Sequence, residues 1–295
     1  IRDCGWHGVL MVGKDNGVGV VDDPSEQIYD NKFNSISNNH IHRCGQIIGD
    51  AAGVYLYQSG DNVIEHNLIH RMPRYGICMK GHGGLYGKYT KFGNVTITDD
   101  NYWDFYTGNK NTIRYNHVYD LLNDSYDAGG ISLRRSGRHN TIGNNRIHDI
   151  NTPASMDHHF CFGIYLDGGT EYTTVTNNVI YNVKPGKSAF ATPINMKKLR
   201  NTVTNNIIVA ETGTTGGVIA MQEGGGGQPE SEGFGRHRIE RNVFYAKGRS
   251  ATLYWFKSED EFTARMVSAS NKNLFYLPDG GTPTFKGIDG DDTYD

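Results

Sequence analysis

The sequence predicts a parallel β-helix, a solenoid whose short strands stack coil upon coil into parallel sheets. Two repeated patterns in the 295-residue chain, and the distance between their copies, predict this fold. In the first pattern an Asn is followed by an outward-facing residue and then by an apolar one. This pattern occurs at Asn39, Asn67, Asn116, Asn145, Asn178, Asn206, Asn242 and Asn273. Successive copies are 28 to 49 residues apart, and most intervals are close to 30, which we take as the length of one coil.

The second pattern lies between copies of the first and consists of a small residue followed by alternating apolar positions. It begins at Gly53, Gly76, Gly130, Gly163, Pro193 and Gly217. Alternation with a period of two is typical of a strand that buries one face. One such unit cannot bury its apolar face alone, so units stack about 4.8 Å apart. The sequence therefore predicts an all-β, single-stranded, right-handed parallel β-helix of about 8 to 9 coils.

We expect the Asn of the first pattern to form a corner of each coil. Asn tolerates the left-handed backbone conformation that a tight corner requires, and stacked amides can hydrogen-bond along the axis. An antiparallel sandwich with turn asparagines is the alternative fold. It predicts turns about every 8 to 12 residues, which does not account for intervals near 30.

The intervals also predict the domain organisation of residues 1–295. The distance from Gly76 to the next pattern Asn is 40 residues, which predicts an inserted loop over residues 81–110. The segment that starts at Ile1 aligns with the segment that starts at Ile41, directly after a pattern Asn. We therefore expect this β-helix domain to be a fragment truncated at its N-terminal end.

Composition excludes several classes of partner. The chain has 29 Lys and Arg against 32 Asp and Glu, a net charge of −3, which argues against a basic nucleic-acid surface. No apolar run approaches the ~18 to 20 residues that a membrane helix needs. Four cysteines do not make a disulfide framework in a chain of this size. We expect a monomer with neither a nucleic-acid nor a membrane partner.

Outward positions of stacked strands form columns in which residues distant in sequence become neighbours. One predicted column contains Tyr55, Cys78, Ser132, Tyr165 and Asn195, and the next contains Tyr57, Lys80, Arg134, Asp167 and Lys197. Tyrosines beside charged and amide groups suit a sugar, whose ring stacks on aromatic faces while its hydroxyls take hydrogen bonds. We therefore expect Lys80, Arg134, Tyr165 and Lys197 to bind substrate.

Two loops add acids and an imidazole at the same end of adjacent strands. One loop carries Asp124 and Asp127, and the other carries His158. Stacking places Asp127 and Asp167 about 5 to 9 Å apart, a range that covers both carboxyl separations used by glycosidases. The sequence predicts this pair as catalytic without assigning the acid. Asp124 and His158 are candidates for substrate binding, and Glu223 is a reserve carboxylate.

The repeated Asn corners, the Asp-Ala-Gly-Gly-Ile stretch at 127–131 and the stretch at 158–169 carry a resemblance. Over about residues 30–275 the chain resembles right-handed parallel β-helix carbohydrate-active enzymes, and among them glycoside hydrolase family 141. The resemblance implies cleavage of plant cell-wall glycans that contain xylan or fucose. It also implies an oligo- or polysaccharide substrate and a secreted or periplasmic location, and it supports Asp127 and Asp167 by position.

Two other functions stay open. A polysaccharide lyase could use Lys80 or Arg134 to abstract a proton next to a uronate carboxylate, and a non-catalytic β-helix could bind carbohydrate or act as an adhesin. Histidines flank two pattern asparagines, at His40, His42, His66 and His70. We interpret them as outward-facing residues rather than metal ligands. The sequence therefore predicts no metal and no cofactor.

Overall fold

The computed structural model describes residues 1–13, 31–81, 91–92, 95–96, 98, 100–101, 107–153, 160–184, 190–212, 216–222, 234–248, 250–257, 266–287 and 293–294. Their strands form three long sheets that run along one cylinder, with one strand of each sheet in every full coil. This arrangement confirms the predicted parallel β-helix. Among the described residues, no helix is both long and apolar enough to cross a membrane.

Sheet 1 has ten strands and carries the second sequence pattern. Its strands are Val9–Val12, Ala52–Tyr57, Tyr75–Lys80, Ala128–Arg134, Phe160–Leu166, Phe190–Lys197, Ile219–Gln222, Ser250–Lys257, Thr282–Lys286 and Thr293–Tyr294. All neighbours pair in parallel except the last two, which pair antiparallel.

Sheets 2 and 3 have eight strands each and flank the pattern asparagines. Sheet 2 consists of Ser35–Ser37, Val63–Glu65, Thr112–Arg114, Thr141–Gly143, Thr174–Thr176, Thr202–Thr204, His237–Glu240 and Val267–Asn271. Sheet 3 consists of His40–His42, Leu68–Met72, His117–Leu121, Arg146–Asn151, Val179–Lys184, Ile207–Ala210, Val243–Ala246 and Leu274–Tyr276. Two short pairs complete the described strands: Gly137–Arg138 with Thr170–Glu171, and Lys91–Phe92 with Val95–Thr96.

The core is a set of aliphatic columns that follow the sheet registers. In sheet 1, Ile131 pairs with Ile77 on one side and Ile164 on the other, and all three are fully buried. Sheet 2 contributes the column Ile36, Ile64, Ile113, Ile142, Val175, Val203 and Ile239. Each buried side chain of this size contributes about 1.5 to 3 kcal/mol relative to exposure. Burial along the axis therefore stabilises the solenoid.

All eight pattern asparagines form one continuous ladder. The side-chain oxygen of Asn145 accepts hydrogen bonds from the backbone N–H and the amide of Asn116, both at 3.0 Å. Its own Nδ2 donates to the carbonyl of Ile113 at 2.9 Å. Both polar atoms of the buried amide are therefore hydrogen-bonded. The same link repeats from Asn39 to Asn273. The predicted stacking of amides is confirmed.

The predicted backbone conformation of these asparagines is wrong. The left-handed residue is the one before each ladder Asn, for example Tyr115 and Asn144, both at φ 56°. The ladder Asn itself must aim its amide inward along the stack, so the residue before it makes the corner. That residue points outward and need not be Asn, although a left-handed non-glycine residue costs about 1 to 2 kcal/mol.

A second ladder, which the sequence analysis missed, lies five residues before the first. Asn62 Oδ1 accepts from the backbone N–H and amide of Asn34, and the pattern continues through Asn111 to Asn140. Farther along, the backbone N–H of Asn201 donates to Nδ1 of His237 at 3.2 Å. Each coil therefore has two polar corners that fix its height relative to the next coil.

The small residue that leads each sheet 1 strand is explained by space. A Cβ at Gly53 would lie 2.4 Å from a methyl group of Ile69, and a Cβ at Gly163 would lie 2.6 Å from a methyl group of Ile180. Sheets 1 and 3 approach each other closely at this position, which favours glycine in these coils, although the equivalent positions of the next two coils hold Pro193 and Val218. The predicted insertion at 81–110 lies largely outside the described residues. Near its end, the backbone N–H of Asp61 donates to the carbonyl of Asn109 on the next coil at 2.9 Å, so the two coils are hydrogen-bonded there.

The ladder gives a test of stability. Asn145→Ala should lower the free energy of unfolding by about 3 kcal/mol, because it leaves the buried N–H of Asn116 without an acceptor and removes the donor from the carbonyl of Ile113. Asn144→Gly is the matched control, since glycine fits the left-handed conformation at that position. Urea denaturation measures both variants. Equal losses in the two variants would contradict a dominant role for the ladder.

Candidate active site

A cavity of about 280 Å³ lies on the outer face of sheet 1 and spans neighbouring coils. Its lining consists of Asp127, Arg134, Arg135, Phe160, Phe162, Tyr165, Asp167, Gly168, Asn195, Lys197 and Gln222. A smaller cavity beside it shares Asp127, Arg134, Tyr165 and Asp167 and adds Lys80. The structure therefore brings both predicted catalytic aspartates and four predicted substrate-binding residues to one surface.

Asp167 is the first residue after the strand Phe160–Leu166 and is held by cations from both neighbouring coils. Its Oδ1 accepts hydrogen bonds from Lys197 Nζ at 2.7 Å and from the Gly168 N–H at 2.8 Å. Its Oδ2 lies 3.4 Å from Arg134 Nε. Only 15% of the side chain is exposed. These contacts fix the position of both carboxylate oxygens.

Asp127 precedes the strand Ala128–Arg134 and has a left-handed backbone with φ 54°. Its N–H donates to the Phe160 carbonyl at 2.8 Å, which ties it to the next coil. Burial, together with the negative charge of Asp167, raises the pKa of the Asp127 carboxyl. Arg74 opposes this shift from 4.0 Å. Asp127 therefore holds a proton more readily than an ordinary aspartate.

The two carboxylates thus share one cavity in unlike surroundings. Asp167 has two cations and a backbone N–H within 3.4 Å, whereas the nearest cationic nitrogen recorded for Asp127 is 4.0 Å away. Unlike surroundings for two carboxyl groups in one cavity are typical of acid–base pairs in enzymes.

Tyr165 joins the charged part of the cavity to an aromatic part. Its hydroxyl accepts a hydrogen bond from Lys197 Nζ at 3.1 Å. Burial and the negative charges of Asp167 and Asp127 raise the pKa of the Tyr165 hydroxyl, so it stays protonated. The ring packs against Phe162 with centroids 4.3 Å apart. Phe160, which is 41% exposed, offers a free ring surface at the cavity.

The phenylalanines were not predicted because strict alternation fails at Gly163. Under strict alternation, an outward-facing Tyr165 would make Phe162 face inward. Phe162 instead lies in a cluster with Tyr165 and Phe190 on the outer face. The close approach at Gly163 shifts the alternation by one residue, since Ile164 is also in the core. The glycine in these strands was the signal in the sequence that the alternation shifts by one residue.

Asn195 lies in the predicted column that contains Tyr165 and lines the cavity, but the sequence analysis assigned it no role. It pairs in register with Tyr165, it is fully buried, and neither atom of its side-chain amide has a partner within the part of the chain that the structure describes. An unpaired buried polar group costs about 1 to 3 kcal/mol. Such a group in a cavity wall is suited to a ligand that supplies the missing hydrogen bonds.

Of the three remaining predicted substrate-binding residues, the structure describes only Asp124, which is not brought to the cavity. Asp124 is exposed, and its N–H donates to the carbonyl of Pro73 at 3.2 Å, because the loop before the left-handed Asp127 runs toward the preceding coil. It lines neither cavity. His158 and Glu223 lie outside the described residues.

Comparison with known proteins identifies the fold. A family model described as "Right handed beta helix region" matches residues 1–97 and 27–226. A solved structure titled "The complex structure of XylC with xylose" is similar, with 14% identity and a TM-score of 0.37. That alignment covers 86% of this chain and 52% of the other, so the chain spans about half the length of its match. No curated protein matches the chain.

The unlike environments predict opposite effects on stability. Asp127→Asn should raise the melting temperature at pH 7 by about 1 °C, a small gain because the group is partly exposed. A raised folded-state pKa means that stability is lost as the pH rises from the ordinary Asp value of 3.8 through the folded value. The gain should therefore shrink as the pH falls toward 3.8.

Asp167→Asn should instead lower the melting temperature by about 3 to 5 °C, because it leaves Lys197 without its carboxylate. Asp120→Asn is the control for both variants, since Asp120 has the same φ of 54° and lies outside the cavity. Differential scanning calorimetry between pH 4 and pH 8 makes the measurement. A loss of stability in Asp127→Asn at pH 7 would contradict the assigned environments.

Proposed function

The chain belongs to the right-handed β-helix family, and from this premise we propose that it is a glycoside hydrolase. The proposal rests on one observation, the two aspartates that share a cavity in opposite electrostatic environments. Glycoside hydrolysis requires one carboxyl group that gives a proton and a second that stays ionised. Asp127 suits the first role and Asp167 the second.

In the proposed reaction Asp127 donates its proton to the glycosidic oxygen as the bond to the anomeric carbon breaks. Asp167 either attacks the anomeric carbon, with water later releasing the sugar, or takes a proton from the attacking water. Lys197 and Arg134 hold the Asp167 carboxylate in place before the substrate binds. The anomeric configuration of the first product, followed by NMR, distinguishes the two courses.

The wall of the cavity supports a sugar as the substrate. The exposed ring of Phe160 and the hydroxyl of Tyr165 offer a stacking surface beside hydrogen-bonding groups. The resemblance to glycoside hydrolase family 141 leads us to propose a plant cell-wall glycan containing xylan or fucose. A polymer of this kind is met outside the cell, so we propose a monomeric, secreted or periplasmic enzyme.

A polysaccharide lyase is the second candidate, and the cations of the cavity favour it. Arg134, Arg135 and Lys197 could hold the carboxylate of a uronate sugar. Against it, the Lys197 amine is already engaged, since its Nζ donates to Asp167 at 2.7 Å and to the Tyr165 hydroxyl at 3.1 Å. An ultraviolet-absorbing unsaturated product from pectin or alginate would favour the lyase.

The roles of the aspartates predict different responses to the leaving group. Both Asp127→Ala and Asp167→Ala should lower kcat on polymeric xylan by at least about 100-fold. With nitrophenyl glycosides, whose leaving group needs no proton, Asp127→Ala should recover much of its rate and Asp167→Ala should not. Asp120→Asn is the control that should turn over substrate as the parent does. Parental turnover by both alanine variants would exclude this pair of acids, and binding of oligosaccharide without turnover by the parent would favour a non-catalytic carbohydrate-binding module.

The unpaired amide of Asn195 predicts that replacing this residue raises stability and weakens substrate binding. Asn195→Leu removes two unpaired buried polar atoms and should raise the melting temperature, while weakening oligosaccharide binding about 10-fold through the loss of one or two hydrogen bonds. Asn178→Leu is the matched control, because its ladder amide is fully bonded and its loss should destabilise the fold. Calorimetry measures both quantities. Unchanged binding in a folded Asn195→Leu variant would exclude Asn195 from recognition.

A further inference from the structure

Sheet 3 carries a column of rings on its outer face, on a different sheet from the cavity. His42, His70, Tyr119, His148 and Tyr181 occupy equivalent register positions on successive coils. Neighbouring ring centroids are 4.5 to 5.1 Å apart, and neighbouring planes differ by only 7 to 11°. Stacking of coils therefore orders these side chains as firmly as it orders the core.

One part of this face has a third imidazole. His40 lies two residues before His42 and so projects from the same face of its strand. Its Nε2 is 2.8 Å from Nε2 of His70, and the ring centroids are 5.0 Å apart. The two rings therefore contact each other through their Nε2 atoms. One ring nitrogen from each of His40, His42 and His70 lies within 4.8 Å of the other two.

We propose that His40, His42 and His70 form a binding site for a divalent transition-metal ion of the zinc class. Zinc binds imidazole nitrogen at about 2.0 to 2.1 Å, and three protein ligands leave a fourth position for water or another ligand. Tetrahedral coordination separates two ligand nitrogens by about 3.3 Å, so His40 and His70 must move apart by about 0.5 Å. His40 is exposed and has room for that movement.

The charges beside the cluster are partly paired. Arg43 is paired with Asp3 at 2.8 Å, Arg2 lies 3.7 Å from the same carboxylate, and Arg71 lies 3.7 Å from Asp120. The two carboxylates offset part of the guanidinium charge beside the cluster. A metal held by His40 and His42 on one coil and by His70 on the next would join two coils across the outer face.

A second histidine pair on the same column provides an internal comparison. His117 and His148 also meet through their Nε2 atoms, at 2.7 Å, and His148 Nδ1 bonds to Asp149 at 2.8 Å. Of these two places, only the cluster at His40 brings three ligand groups together among the described residues. The sequence pattern, which predicts outward-facing histidines without a metal, does not distinguish the two places.

The test uses the full chain without a histidine tag, stripped with a chelator and dialysed. Isothermal titration with Zn²⁺ should show one site per chain with a Kd of about 1 µM, and Zn²⁺ should raise the melting temperature. The His40→Ala and His42→Gln variants should each weaken binding at least 10-fold. His117→Ala and His66→Ala are controls that should bind as the parent does. Co²⁺ in place of Zn²⁺ should give visible absorption bands in the parent and not in His40→Ala.

Three results would overturn the proposal: no heat of binding at 100 µM Zn²⁺, parental affinity in His40→Ala, or an equal loss of affinity in His117→Ala. Because the site lies outside the cavity, glycosidase activity is measured in the same variants as a separate readout. Loss of metal binding with unchanged hydrolysis supports the site without bearing on the role of the aspartates.

Discussion

The fixed height of one coil above the next is the constraint on which the rest of the structure depends. Hydrophobic burial is non-directional, and a column of isoleucines and valines tolerates small shifts along or across the stack. The buried asparagines do not, because each amide must meet a backbone N–H, an amide and a carbonyl at once. An amide left without these partners costs more than a shifted methyl group. The two ladders therefore set the register that the aliphatic core then fills.

The site is a direct product of this register. Asp167 meets Lys197 from the following coil and Arg134 from the preceding one only because three successive strands of sheet 1 are held in register. No two of these residues are near each other in sequence. The cavity also combines the raised pKa of Asp127 with the unpaired amide of Asn195. Perturbed pKa values cluster at functional sites.

The sequence was sufficient for the fold and for the charged half of the site, because both follow from periodicity. Equivalent positions in successive repeats become neighbours, which placed Asp167 between its two cations. The aromatic half was not predictable by the same rule, since the tight approach at Gly163 shifts Phe162 to the outer face. The second ladder was missed because Thr173 and His237 replace Asn in two coils. The unpaired state of Asn195 depends on all its neighbours and has no signature in the chain.

The first ladder also has a direction. From Asn39 to Asn273 every amide donates to the oxygen of the Asn on the following coil, so the side-chain dipoles point the same way along the axis. Aligned hydrogen bonds polarise one another and strengthen along a chain. A graft that adds or removes a whole coil preserves this polarity, whereas one that reverses or offsets a coil interrupts it. Whole coils are therefore the natural unit in which such a protein lengthens or shortens.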